Sequence, residues 1–166
     1  MGTKESVSKV LKKAVRILPG VGSYQDKESL RESDKKLRDH ISRKLSYCME
    51  VIERLKTNIA RKGSLSFLKD LDDISRMIDT LSRTITYAAR GYSGVFNADQ
   101  VDEKTLSHLF EFDRSFIEQV DLLNSLAEKI STKNEELEST MLHDMRNQLL
   151  KIKNKVSERE ELLQGQ

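Results

Sequence analysis

The feature that most constrains this chain is a long apolar seam, in which hydrophobic residues recur every three or four positions without an interrupting proline or glycine. The seam comprises Leu30, Leu37, Ile41, Leu45, Cys48, Ile52, Leu55 and Ile59. This spacing places the side chains on one face of an α-helix, which has about 3.6 residues per turn. The pattern therefore predicts one long helix from about Gln25, ending near Gly63.

Three further seams follow the first. The second comprises Phe67, Leu71, Ile74, Ile78, Leu81, Ile85 and Ala88, the third Leu106, Leu109, Phe112, Phe116, Val120, Leu123, Ala127 and Ile130, and the fourth Leu142, Met145, Leu149, Ile152, Val156 and Leu163. Ser64 or Ser66 is placed to cap the start of the second helix, and Asp102 the start of the third. Gly91 lies where a glycine commonly ends a helix.

The boundary between the third and fourth seams admits two interpretations. The two heptad patterns do not align with each other, which favours a kink or short turn at about residues 131–134. Thr132 and Glu135 also have the spacing of a capping box. The alternative is one continuous helix, because neither glycine nor proline interrupts the segment.

Composition agrees with a helical protein. Charged residues make up 34% of the chain, aromatic residues make up 5%, and there is one proline. We expect an all-α fold: an elongated antiparallel bundle of four long, coiled-coil-like helices with an N-terminal amphipathic helix. The expected organisation is a basic amphipathic helix at residues 1–18, a Pro-Gly turn at 19–24 and a helical bundle domain at 25–166.

Charge and cysteine content bear on partners and compartment. The net charge of +2 is too even for the basic field that nucleic-acid binding normally needs, so we expect no nucleic-acid partner. Cys48 is the only cysteine, which points to a reducing, cytoplasmic setting. No apolar run approaches the roughly 20 residues that span a bilayer, and no signal peptide is expected.

The N-terminal stretch "SVSKVLKKAVRIL" separates an apolar face from a basic face. The residues that define this membrane or docking helix are Val7, Lys9, Val10, Leu11, Lys12, Lys13, Ala14, Arg16 and Leu18. Two uses of the apolar face stay open. It docks on the bundle with the lysines in water, or it lies on an anionic membrane surface.

The stretch "LHDMRNQLLKI" resembles the phospho-accepting box of sensor histidine kinases, with His143 as the candidate acceptor. His143 takes a solvent-facing b position when Leu142 and Met145 take core positions. The chain carries no glycine-rich nucleotide-binding box, so His143 could act only as the acceptor in a histidine-phosphotransfer protein. The ordinary alternative is an exposed histidine on a charged helix.

A metal-binding helical bundle is a further alternative. Di-iron bundles use two Glu-x-x-His pairs aimed inward, and this sequence contains none. His108 with Glu111 is a reversed half of such a motif, and His40 lies beside the first seam without a matching partner. Cys48 lies on the apolar seam, which favours a buried small hydrophobe over a nucleophile.

Two stretches, "ILPGVGSYQDKESLRESDKKLRDHI" and "YAARGYSGVFNADQVDEKTLSHLFEFDRSFIEQV", with the closing "SEREELL", resemble an uncharacterised family of small prokaryotic helical proteins. The chain departs from that family's turn residues at Val21, Ala89 and Arg90. The resemblance implies a membrane-linked role, because genes of that family often lie near band-7 (SPFH) membrane proteins. The layout of a basic amphipathic helix, a proline turn and long helices is also similar to phage-shock-type coiled-coil proteins.

We therefore expect a non-enzymatic helical adaptor or assembly protein without a cofactor. The expected partner is a second copy of the chain or another helical protein, and an anionic membrane surface or a band-7 type protein is a further candidate. The expected location is the cytoplasm, with the inner face of the membrane as a candidate peripheral site. Histidine phosphotransfer through His143 and metal binding within the bundle are the alternatives.

Overall fold

The computed structural model describes residues 27–63, 66–91, 103–132 and 137–164. Within these ranges the chain forms four helices: α1 (Lys27–Arg61), α2 (Leu68–Gly91), α3 (Glu103–Thr132) and α4 (Ser139–Gln164). The predicted all-α bundle is confirmed. The predicted amphipathic helix at residues 1–18, the turn at 19–24 and the Asp102 cap lie outside the described residues.

The four helices form two antiparallel hairpins, α1 with α2 and α3 with α4, that pack side by side. Helix α1 also packs on α3, and α2 on α4. Helices α1 and α3 run parallel, because Leu37 lies beside Phe116 and Cys48, further along α1, contacts Asn124. The cyclic order is therefore α1, α2, α4, α3, and the link from Gly91 to Glu103 connects diagonal corners of the bundle.

The core is built from the predicted seams. Their buried members are Leu37, Ile41, Leu45, Cys48, Ile52 and Leu55 on α1, Leu71, Ile74, Ile78, Leu81 and Ile85 on α2, Leu109, Phe116, Val120, Leu123, Ala127 and Ile130 on α3, and Leu142, Met145, Leu149, Ile152 and Val156 on α4. Ile59, Phe67 and Phe112 are only partly buried. Burying one large apolar side chain contributes about 1.5 to 3 kcal/mol, so these contacts dominate the stability of the bundle.

Helix α1 ends through Gly63, which adopts a φ of 71°. The amide of Lys62 donates to the carbonyl of Asn58 at 3.1 Å, and the amide of Gly63 donates to the carbonyl of Ala60 at 3.2 Å. Glycine has no Cβ to clash in the left-handed region, so it ends the helix at low cost. The predicted position of this helix end is confirmed.

The predicted break between the third and fourth helices is also confirmed, since α3 ends at Thr132 and α4 begins at Ser139. Thr132 does not cap α4, and Glu135, the other residue of the predicted capping box, lies outside the described residues. Thr132 is the last residue of α3, and its hydroxyl donates back to the carbonyl of Lys129 at 3.0 Å. At the start of α4, the amide of Met141 donates to the carbonyl of Glu138 at 3.1 Å.

Candidate functional site

His143 lies on the solvent-exposed side of α4, about one turn after the first residue of that helix, Ser139. Its neighbours Leu142 and Met145 are buried, with exposed fractions of 3% and 0%. The heptad therefore turns the imidazole outward, where a reactant could approach it. Asp144 and Asn147 of the same motif are exposed as well.

An ion triad lies between α2 and α4, close to His143 in sequence. Asp73 of α2 accepts from Arg76 at 2.8 Å and from Arg146 of α4 at 3.0 Å. Arg146 and Asp73 are partly exposed, with exposed side-chain fractions of 41% and 32%. The triad links the two helices at the surface and carries one more positive charge than negative charge.

The other two histidines have different surroundings. His108 is exposed on α3, as is Glu111. His40 is mostly buried between α1 and α3, and its Nε2 lies 3.7 Å from the Asp121 carboxylate. Burial lowers the pKa of His40, and Asp121 partly opposes that effect. Among the described residues, no group of His, Cys, Asp and Glu has the arrangement of a metal site.

Cys48 is fully buried on α1, as predicted for a small hydrophobic residue. The side-chain amide of Asn124 donates to its sulfur at 3.6 Å. Burial raises the pKa of the Cys48 thiol to about 12. The thiol therefore stays protonated at neutral pH, and nucleophilic chemistry at this residue is disfavoured.

Buried polar side chains connect the helices across the core. Arg159 of α4 donates to Asp113 of α3 through Nε at 2.7 Å and through Nη2 at 3.1 Å. Asn124 donates to the backbone carbonyl of Lys44 on α1 at 3.2 Å. These residues were not predicted, because hydrophobic periodicity passes over polar positions.

A fourth buried polar residue, Gln148 of α4, makes a similar connection. Its side-chain amide donates to the backbone carbonyl of Gln119 on α3 at 2.7 Å and to the side-chain oxygen of Gln119 at 3.0 Å. These bonds give the buried amide of Gln148 hydrogen-bond partners in place of water.

A small cleft opens on the bundle beside the Asp113–Arg159 pair. Its lining consists of Leu37, Arg38, Ile41, Ile85, Phe116, Val156 and Arg159. Its volume is about 20 Å³, which is space for about one water molecule. The cleft is therefore too small for an organic substrate.

None of the described helices has an apolar stretch long enough to cross a bilayer. The predicted membrane or docking residues between Val7 and Leu18 lie outside the described residues. The chain matches no family model, no curated protein and no solved structure. The family resemblance and the link to band-7 proteins therefore stay predictions.

Proposed function

We propose that this protein is a helical adaptor or assembly module whose bundle serves as a scaffold. The observation that supports the proposal best is that the buried polar side chains bond to neighbouring helices. Asp113, Asn124, Gln148 and Arg159 all form bonds between helices. These bonds hold α1, α3 and α4 in register, and a scaffold requires this rigidity.

The proposal assigns membrane recruitment to the N-terminal segment. Residues 1–18 carry five basic residues, Lys4, Lys9, Lys12, Lys13 and Arg16, against one acid, Glu5. Each basic residue near an anionic leaflet contributes about 1 kcal/mol. The opposite apolar face adds the burial energy that an interfacial helix needs. Pro19 and Gly20 separate this segment from α1 in the sequence.

Co-sedimentation of the full chain with vesicles tests membrane recruitment. We expect binding to vesicles that contain phosphatidylserine, weaker binding as salt increases, and no binding to pure phosphatidylcholine. The double variant Lys12→Gln, Lys13→Gln loses about 2 kcal/mol, or roughly thirtyfold in affinity. The matched control is Lys151→Gln, Lys153→Gln, which removes two exposed lysines from α4.

The control variant should bind anionic vesicles like the parent protein. If both double variants lose affinity equally, the attraction comes from overall charge and not from the N-terminal segment. If the parent protein ignores anionic vesicles at low salt, membrane recruitment is wrong.

Self-association is the second part of the proposal. Helix α1 has 35 residues and its hairpin partner α2 has 24, and we expect a second helical chain to pack beside the part of α1 that extends beyond α2. Analytical ultracentrifugation should show a concentration-dependent increase in mass. A monomer at all concentrations, with no helical partner recovered from the native host, would contradict the assembly role.

A further inference from the structure

The surface around His143 combines an exposed imidazole with cationic side chains on two helices. His143 and Arg146 are three residues apart on α4, and Arg146 contacts Asp73 of α2 at 3.0 Å. Residues three apart on a helix have Cβ atoms about 5 to 6 Å from each other. The guanidinium of Arg146 is therefore within reach of a group attached to the imidazole of His143.

The ion triad holds Arg146 without saturating it. Oδ1 of Asp73 accepts from Arg76 at 2.8 Å, while Oδ2 accepts from Nη2 of Arg146 at 3.0 Å. One carboxylate thus serves two guanidiniums, and the contact with Arg146 uses one of its five N–H donors. The remaining donors are available to an anion, and the triad keeps a net charge of +1.

We propose that His143 accepts a phosphoryl group and that Arg146 binds the oxygens of that group. A phosphoryl group offers three acceptor oxygens and about two negative charges, and the guanidinium fork binds such groups through charge-assisted hydrogen bonds. Asp73 contacts Arg146 at 3.0 Å between α2 and α4, and its carboxylate competes with the phosphoryl group for the guanidinium. The site is a modification site on the scaffold, and it goes beyond the adaptor role.

The three histidines of the chain allow an internal comparison. His108 is also exposed, but the residue three positions after it is the acidic Glu111, which repels a phosphoryl group. His40 is mostly buried, and its Nε2 faces Asp121. His143 alone combines exposure with a cation at the third position, so it is the favoured acceptor.

The reaction fits a donor of the acyl phosphate class. The lone pair of one ring nitrogen attacks phosphorus, and the phosphorus–oxygen bond to the acyl group breaks. The electron pair of that bond leaves with the carboxylate. The other ring nitrogen releases its proton to water, which gives a neutral imidazole ring bearing the phosphoryl group. Neither a nucleotide nor a metal ion is needed to balance this step.

Chemical phosphorylation of the full chain tests the proposal, with phosphoramidate and acetyl phosphate as the two donors. Labelling is followed by phosphorus NMR and by mass spectrometry of peptides prepared under alkaline conditions. We expect the label on His143, its loss in His143→Gln, and its retention in the matched control His108→Gln.

Variants of the ion triad separate binding of the phosphoryl group from a merely structural role. Arg146→Gln should slow labelling of His143 roughly tenfold, since it removes one charge-assisted contact, and Arg146→Lys should restore part of the rate. Asp73→Asn removes the competing carboxylate and should speed labelling. If the triad were only structural, Arg146→Gln and Asp73→Asn would change the labelling rate of His143 in the same direction, because both break the link between α2 and α4.

Two results would overturn the proposal. One is equal labelling of His108 and His143 in the parent protein. The other is an unchanged rate at His143 in Arg146→Gln, with circular dichroism showing that the variant is folded.

Discussion

Among the polar contacts, we expect single substitutions in the buried ion pair between Asp113 and Arg159 to reduce the stability of the fold most. Both side chains are about 95% buried, and two donor nitrogens of Arg159 bond to the carboxylate at 2.7 and 3.1 Å. Removing one partner leaves a charge in the core without its counter-charge. Such a loss typically costs about 3 to 5 kcal/mol.

We predict that Asp113→Ala lowers the free energy of unfolding by about 3 to 5 kcal/mol. The double variant Asp113→Leu, Arg159→Met should cost far less, since it removes both charges and keeps apolar volume. Urea unfolding followed by circular dichroism measures both effects. A double variant as unstable as the single variant would show that the charges themselves are not the cause.

His40 makes the stability of the bundle depend on pH. Burial lowers its pKa, against the opposing effect of Asp121 and together with the nearby charges of Lys44 and Arg43. The folded chain therefore binds a proton on His40 more weakly than the unfolded chain does. The contribution of His40 to the free energy of unfolding is complete at a pH where the imidazole is neutral in both the folded and the unfolded chain. This contribution is lost as pH falls below the pKa of the unfolded chain, about 6.5.

We predict that His40→Gln flattens this pH dependence between pH 7 and pH 5. The measurement is the free energy of unfolding in urea at several pH values, with His108→Gln as the matched control for loss of an imidazole. A His40→Gln variant with the same slope as the parent protein would contradict the assignment to His40.

At the scale of elements, the end of α1 depends on the backbone conformation of Gly63. An added Cβ there meets no atom within 4 Å, so the cost of a side chain comes from the backbone alone. At φ of 71°, alanine costs about 1 kcal/mol. We predict this loss of stability for Gly63→Ala, and a smaller loss for Gly63→Asn, because asparagine tolerates the left-handed region. Thermal unfolding compares the two variants, and equal melting temperatures would contradict the argument.

The helices could be predicted from sequence because their apolar seams repeat over several turns. Contacts between particular polar residues could not. Arg159 lies within the charged stretch "SEREE" and looks solvent-exposed, yet it pairs with Asp113 some 46 residues away in sequence. Thr132 has the spacing of a helix cap, yet it ends α3. Short polar motifs have several local uses, and the surrounding helices decide among them.

At the scale of the whole molecule, the short link after α1 predicted that α2 runs antiparallel to it. For α3 and α4 the sequence left both a turn and one continuous helix open. It also did not predict which helix of one hairpin packs on which helix of the other. Helix α3 lies beside α1 and parallel to it, since His40 contacts Asp121 while Cys48, further along α1, contacts Asn124. A seam indicates which face of a helix is buried, but not which neighbour covers it. The sequence likewise predicts an exposed His143, while the link between Asp73 and Arg146 required the structure.

The four helices close a ring of contacts, α1 to α2 to α4 to α3 and back to α1. We propose that this bundle folds as a scaffold without residues 1–18, and that those residues bind the membrane. The most direct measurement compares the full chain with a chain that begins at Pro19, by urea unfolding and by co-sedimentation with anionic vesicles. We predict the same unfolding midpoint and slope for both chains, with vesicle binding lost in the shorter one. A shorter chain that is unfolded, or that binds anionic vesicles as the full chain does, would contradict the account.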